Sequence, residues 1–348
     1  MRQTRIDEWF SETKQKKKLI AKIQKVSALT KTRPESFWEK LEKALPLRKD
    51  YREAKIPKRS GGYRTIYMPS PELKKVQKNI LRYLQEIWQV HYGPVHGLSP
   101  GGSCVKHARI HSASRWIFQF DIKNAFPSTN IITLRKLLSQ IIPVEVNLGE
   151  NATKIAYTRA ELIIKLTTFQ EGLPQGAPTS PFLFYIVLTS RKIIPATTGG
   201  EIRLTGLFYK LWSACPRGYK ISCYVDGFVI SGPKPISPKT QEKIFKTIRK
   251  ESFEINQKKT RIQDCRHGTV MICGLAVDGK GRISLPKKTI RKWRGIIGKA
   301  RFDPENLELR QKIEGFVASL KPIYEKGTPP QITKPYNRYQ RELVKTTS

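Results

Sequence analysis

Two aspartates stand in apolar company. Asp121 closes the run Trp116-Ile117-Phe118-Gln119-Phe120, and Asp226 sits within Tyr224-Val225-Asp226-Gly227-Phe228-Val229-Ile230. An ionised carboxylate at the edge of a hydrophobic strand is costly to desolvate unless something compensates it. Two of them brought together would repel, unless divalent cations lay between them. Mg2+ is commonly held by one or two carboxylates, with substrate phosphates completing its oxygen shell. Two such ions about 4 Å apart can activate an attacking hydroxyl and stabilise a phosphate leaving group. Taken singly, each aspartate could equally cap or turn the chain.

Other residue types offer less. Cys104, Cys215, Cys223, Cys265 and Cys273 are an odd number without a CxxC pair, which fits neither a disulfide framework nor a zinc ribbon. A reducing, intracellular (cytoplasmic) setting is the expectation. His107 and His111 can share one helical face, but a metal pair is not expected there, and both are expected to be structural.

The elements that must position the aspartates follow from periodicity. Residues 116–122 read as a buried strand ending on Asp121, and residues 224–227 as the centre of a hairpin. Residues 57–69 read as two short strands around Gly61-Gly62. Helical spacing marks 71–91, a stretch through His111, 131–143 and 238–250, and an apolar helix over 182–194 follows the loop 173–181. Residues 195–220 carry Gly199-Gly200 and Pro216-Arg217-Gly218, and no element is assigned there. Residues 286–348 read as basic and helical, with Trp293, Ile297, Ile313, Phe316, Val317 and Leu320 as core candidates. Strands and helices interleave without regular βαβ alternation, which favours an α+β architecture.

The charge names a class of partner. Of 348 residues, 65 are Lys or Arg and 28 Asp or Glu, a formal net charge of +37. Nucleic acid is the first candidate for such a surplus. No apolar run approaches the roughly 20 residues that cross a bilayer, so no membrane role is expected.

The motifs in order resemble the palm of reverse transcriptases, from about Lys55 to at least Leu275. Phe120-Asp121-Ile122-Lys123-Asn124-Ala125-Phe126-Pro127-Ser128 is similar to the family's first catalytic-Asp motif. Gly172-Leu173-Pro174-Gln175-Gly176-Ala177-Pro178-Thr179-Ser180-Pro181 resembles its template- and nucleotide-positioning loop. Tyr224-Val225-Asp226-Gly227 falls where the family has Tyr-x-Asp-Asp. Ile255-Asn256-Gln257-Lys258-Lys259-Thr260 resembles the lysine motif, and Ile272-Cys273-Gly274-Leu275 the primer-grip turn. Gly61-Gly62-Tyr63-Arg64, His96-Gly97 and His107-Ala108-Arg109-Ile110-His111 resemble the prokaryotic branch of retron and phage-defence enzymes. There His107 replaces an Asn, and Ile272-Cys273-Gly274 replaces Val-Thr-Gly.

The resemblance implies a right-hand polymerase fold with an antiparallel palm sheet. Residues 1–30, with Lys14, Lys16, Lys17 and Lys18, read as a basic tail; the resemblance implies fingers and palm over 31–285, and a helical thumb over 286–348 that follows the duplex through phosphate contacts. It implies RNA-directed DNA synthesis with Mg2+, or Mn2+, held by Asp121, Asp226 and the Ile122 carbonyl. Lys259 would protonate pyrophosphate, with Lys258 beside it as the other choice. Lys58 and Arg64 would meet the triphosphate, and Gln175 with the Gly176 backbone the nascent pair. Cys273, Gly274 and Leu275 would grip the primer. Phe126 is placed like the family's steric gate against the 2′-hydroxyl, which favours dNTPs; otherwise it is a core aromatic. RNA template, DNA product and a cognate noncoding RNA are the implied partners.

Gly227 departs from the pattern, because the family has its second Asp there. Losing one anionic ligand predicts a slower or more metal-selective enzyme. The alternatives are a catalytically silent protein that binds RNA or an RNA–DNA hybrid, and a template-independent DNA polymerase. At the N-terminus, Gln3, Ile6, Trp9 and Phe10 resemble the peptide by which archaeal and eukaryotic replication proteins bind the sliding clamp. An ordinary amphipathic first helix is the other reading.

Overall fold

The computed structural model describes residues 35–58, 61–88, 94–98, 101–144, 151–193, 202–324 and 329–347. Gln3, Ile6, Trp9 and Phe10, with the whole 1–30 tail, lie outside the described residues.

Helix α1 (Glu35–Lys43) precedes the hairpin of β1 (Tyr51–Pro57) and β2 (Tyr63–Pro69). Helix α2 (Pro71–Ile87), strand β3 (Val95–His96), helix α3 (Cys104–His111) and strand β4 (Trp116–Lys123) follow. Two helices, α4 (Ile131–Ile141) and α5 (Asn151–Thr167), separate β4 from helix α6 (Ser180–Thr189). Next come β5 (Arg191–Ile193), β6 (Ile202–Leu204), α7 (Leu207–Ala214) and the hairpin of β7 (Lys220–Tyr224) and β8 (Gly227–Gly232). Helix α8 (Pro238–Lys250) leads to β9 (Glu254–Ile255), β10 (Arg261–Asp264), β11 (Val270–Ile272), β12 (Leu275–Val277) and β13 (Ile283–Ser284). The chain ends in α9 (Lys287–Ala300), α10 (Leu307–Leu320) and α11 (Pro330–Thr347).

The central sheet runs β10-β4-β8-β7-β3, with β9 also on β4. Its ladders are antiparallel except β3–β7, which is parallel. Alternation along β4 divides the molecule into layers. Phe118, Phe120 and Ile122 point into the main core, where Phe120 stacks on Phe228 at 5.3 Å. Ile117 points the other way, into a second cluster with Val229, Val105 and Ala108 of α3, and the β11–β12 hairpin. A third cluster around Ile297, Ile313, Leu320 and Tyr339 joins α9, α10 and α11.

Local signals explain the element ends. Ser70 accepts the Leu73 N–H at 3.2 Å and Pro71 opens α2, which buries Leu73, Gln77, Ile80 and Leu84 on one face. The apolar helix is shorter than the expected 182–194, because it stops at Thr189. The Ser190 carbonyl accepts the Thr205 and Gly206 N–H groups, each at 2.8 Å, and the chain turns into the β5–β6 hairpin. Gly206 is required there, since any β-carbon would overlap the Leu188 carbonyl. Residues 202–204 and 207–214 thus supply a strand and a helix where the sequence assigned none.

Candidate active site

Asp121 and Gly227 are direct partners in the β4–β8 ladder, and Tyr224 pairs Gly227 across the β7–β8 turn. Val225 and Asp226 are therefore the two loop residues of a tight hairpin whose tip lies against Asp121. Val225 adopts φ 59, an outlier for a β-branched residue that costs on the order of 1–3 kcal/mol. Main-chain bonds hold it from both sides. The Val225 N–H donates to the His96 carbonyl at 3.0 Å, and the Ile122 N–H to the Asp226 carbonyl at 2.9 Å. Gly97 leaves room for the turn, because a β-carbon there would stand 3.0 Å from both Val225 Cγ2 and the Tyr224 ring.

Lys259 closes the other side. Asn256 N–H donates to the Asp121 carbonyl at 2.8 Å and the Gln257–Lys259 turn follows, which brings Lys259 Nζ to 2.6 Å from Asp121 Oδ2. Of the two adjacent lysines, it is Lys259 that reaches the carboxylate. Burial raises the Asp226 carboxyl above its usual 3.8, and the charge of Asp121 adds to this. Lys259 and Arg64 pull it the other way.

The loop 173–181 is clamped between two elements. The Leu173 N–H donates to the Phe126 carbonyl at 3.0 Å, and the Tyr67 N–H of β2 to the Gln175 carbonyl at 2.7 Å. Gly176, at φ 117, lets β2 approach, since its β-carbon would stand 2.9 Å from the Tyr67 carbonyl. Gln175 Oε1 and Thr179 Oγ1 are buried without a hydrogen-bond partner. The glycine hairpin carries Arg64 opposite Ile56, and the Lys58 N–H closes its turn onto the Gly62 carbonyl at 2.9 Å. Both basic side chains are exposed. Phe126 is half-buried, with its ring 5.4 Å from that of Phe184. It is thus both a packing residue and partly open to solvent.

Cys273 (φ 47) and Gly274 (φ 80) make the two-residue turn between β11 and β12, followed by buried Leu275. Desolvation raises the Cys273 thiol, and Cys104, Asp121 and Asp226 add to it, so the turn lies in the field of the same carboxylates.

The donor set fits a hard divalent cation. It offers carboxylate oxygens, and a cation near Asp226 would relieve the repulsion that Asp121 imposes. Among the described residues there is no cluster of three or more His, Cys, Asp or Glu able to hold a metal. A cation here would therefore also need ligands from the main chain, the substrate and water. Sequence reasoning missed the hold of His96 and Gly97 on the turn, and the partners of His107 and His111. The latter are buried and hydrogen-bonded to serines, in keeping with a structural role.

Residues 56–297 match the family described as reverse transcriptase (RNA-dependent DNA polymerase). The chain is similar to the retron Mx162 reverse transcriptase of Myxococcus xanthus, at 26% identity over 309 residues, covering 80% of this chain and 59% of that one. It is 29% identical over 231 residues to the retron Mx65 reverse transcriptase of Myxococcus xanthus, covering 64% and 50%. It is 26% identical over 298 residues to the retron Ec73 reverse transcriptase of Escherichia coli, covering 83% and 86%. The chain thus spans between half and three fifths of the length of the two Myxococcus relatives.

Proposed function

Because the chain belongs to the reverse transcriptase family, we propose that it is an RNA-directed DNA polymerase of the retron kind, using dNTPs and divalent metal. Its α+β fold is the right-hand polymerase arrangement, with residues 31–285 as fingers and palm and 286–348 as thumb. The observation that carries the reading is the placement of Asp121 beside the Asp226 turn, with Lys259 on one carboxylate and the charge of Arg64 acting on the other.

Asp121, Asp226 and the Ile122 carbonyl are the proposed holders of Mg2+. Held there, Mg2+ would supply Lewis-acid chemistry toward the primer hydroxyl and the departing pyrophosphate. The protein's own groups do the rest. Lys58 and Arg64 orient the triphosphate, and Lys259, beside Asp121, hands a proton to pyrophosphate. Gln175 and the Gly176 backbone line the place where the nascent pair would lie. Phe126 excludes the 2′-hydroxyl, while Cys273, Gly274 and Leu275 hold the primer. Lys287, Lys288, Arg291, Lys292 and Arg294, all exposed on α9, meet duplex phosphates.

The further partners we propose are a cognate noncoding RNA and, through Gln3, Ile6, Trp9 and Phe10, a sliding clamp. The five free cysteines suit a reducing cytoplasm. No helix among the described residues is long and apolar enough to cross a membrane.

Gly227 favours a second reading, a silent protein that binds RNA or hybrid duplex. Extension of a DNA primer on an RNA of defined sequence, in Mg2+ and then Mn2+, decides among the alternatives. Product complementary to the RNA supports the polymerase. Product made equally without template supports template-independent synthesis. Tight hybrid binding with no product in either metal supports the silent reading.

A further inference from the structure

Helix α3 covers the face of the β7–β8 hairpin opposite the main core, and its two histidines enter a buried chain of hydrogen bonds that the proposed chemistry does not use. His111 Nδ1 lies 2.7 Å from Ser231 Oγ on β8, and its Nε2 lies 2.7 Å from Ser222 Oγ on β7. Ser222 Oγ is also 2.7 Å from His107 Nδ1, and Ser231 Oγ donates to Ser114 Oγ at 2.9 Å. His107, His111, Ser222 and Ser231 are at most 1% exposed.

The last bond sets the direction of all the others. With its hydrogen given to Ser114, Ser231 would accept from His111, and Nδ1 of that ring would carry the proton. His111 Nε2 then accepts from the Ser222 hydroxyl. Ser222 in turn accepts from His107, whose Nδ1 is also protonated. Four bonds run one way, from His107 to Ser114, through two neutral rings. Charging His111 would leave its Nε2 facing the Ser222 hydrogen with a second hydrogen, and burial accordingly holds this ring well below its usual 6.5.

The relay meets the catalytic turn through β3. The His96 ring stands 5.8 Å from that of His107, and the His96 carbonyl holds the Val225 N–H. Ser222 is two residues from Tyr224 on the same face of β7, so the relay and β3 together fix the strand that enters the turn.

We propose that His107 and His111 are positioning residues, whose one-way relay through Ser222 and Ser231 fixes the β7–β8 hairpin on α3 and so sets where Asp226 stands relative to Asp121. An apolar filling of the same space can match or exceed a polar network in stability, but does not select one register of the strands.

The test uses the full chain in two measurements. Nitrogen-15 NMR of labelled histidine is expected to show both rings neutral at pH 7.5 and protonated at Nδ1; a proton on Nε2 of His111 would overturn the relay. The second measurement is nucleotide addition, and this half rests on the polymerase reading. His107→Asn keeps a donor for Ser222 and is expected to stay within about threefold of wild type. His107→Leu is expected to lose about tenfold or more in kcat with primer–template Kd little changed, and to melt lower because buried Ser222 loses its donor. A folded His107→Leu protein with wild-type kcat, or His107→Asn as impaired as His107→Leu, would overturn the proposal. If the wild type made no DNA, the polymerase reading would fall alone, and the NMR result would still decide the relay.

Discussion

Gly227 faces Asp121 across the β4–β8 ladder, and a β-carbon added at Gly227 would stand 3.1 Å from Asp121 Oδ1. Its φ lies outside the left-handed region, so the backbone can take a side chain without strain. The glycine thus changes charge and leaves Asp121 a few tenths of an ångström more room. A carboxylate there would add a third negative group beside Asp121 and Asp226, next to a Lys259 already paired with Asp121.

Gly227→Asp is expected to trade stability for metal affinity. In EDTA its Tm should lie below wild type, because like charges repel, and saturating Mg2+ should recover the loss. Mg2+ titrated calorimetrically into the complex with primer–template and a non-hydrolysable dNTP should bind about tenfold tighter than in wild type. Unchanged affinity would mean that position 227 does not face the metal.

Lys259→Met should slow the chemical step by about 100-fold, the usual scale for a general acid, while Lys258→Met changes it little. Single-turnover rates separate the two, because only Lys259 reaches Asp121. Equal losses from both would assign the lysines to general electrostatics.

Phe126→Ala should lower the preference for dNTP over rNTP about tenfold or more, measured as the ratio of kcat/KM values. A fall in Tm should accompany it, since the ring packs on Phe184. A lower Tm with unchanged sugar discrimination would leave Phe126 as a core aromatic only.

Stability should fall as pH falls below the ordinary histidine range. Burial lowers His96 from 6.5 to about 4, and His107 from 6.5 to about 3. Above pH 6.5 both rings are neutral in the folded and unfolded chains, and they add no pH dependence. Below it the unfolded rings take up protons first, so each ring costs about 1.4 kcal/mol of stability per pH unit until its folded value is reached. Denaturant melts from pH 8 to pH 5 should show this slope, and a flat profile would contradict the burial of these rings.

Much of the site was legible because its signals are local. A carboxylate after an apolar run, a Pro-Gln-Gly loop and a two-residue hairpin each bear on backbone geometry within a few residues. The parts hidden from sequence depend on distant pairing. Which lysine reaches Asp121 is fixed by the bond from Asn256 to β4, and the relay partners of His111 lie over a hundred residues away. The apolar run after Ser180 gave the right helix but the wrong end, because the stop at Ser190 is made by Thr205 and Gly206 returning to it. Where 202–214 folds follows from that return rather than from its own periodicity.

Rapid-quench addition of a single nucleotide to a DNA primer on an RNA template, in Mg2+, tests most directly whether Asp121 and Asp226 together make DNA. The wild type should extend the primer by the complementary nucleotide. Asp121→Asn and Asp226→Asn should each lose at least about 100-fold in rate while binding the duplex as tightly. Rates unaffected by either substitution, or a wild type silent in both Mg2+ and Mn2+ that Gly227→Asp brings to life, would contradict the assignment of an active polymerase.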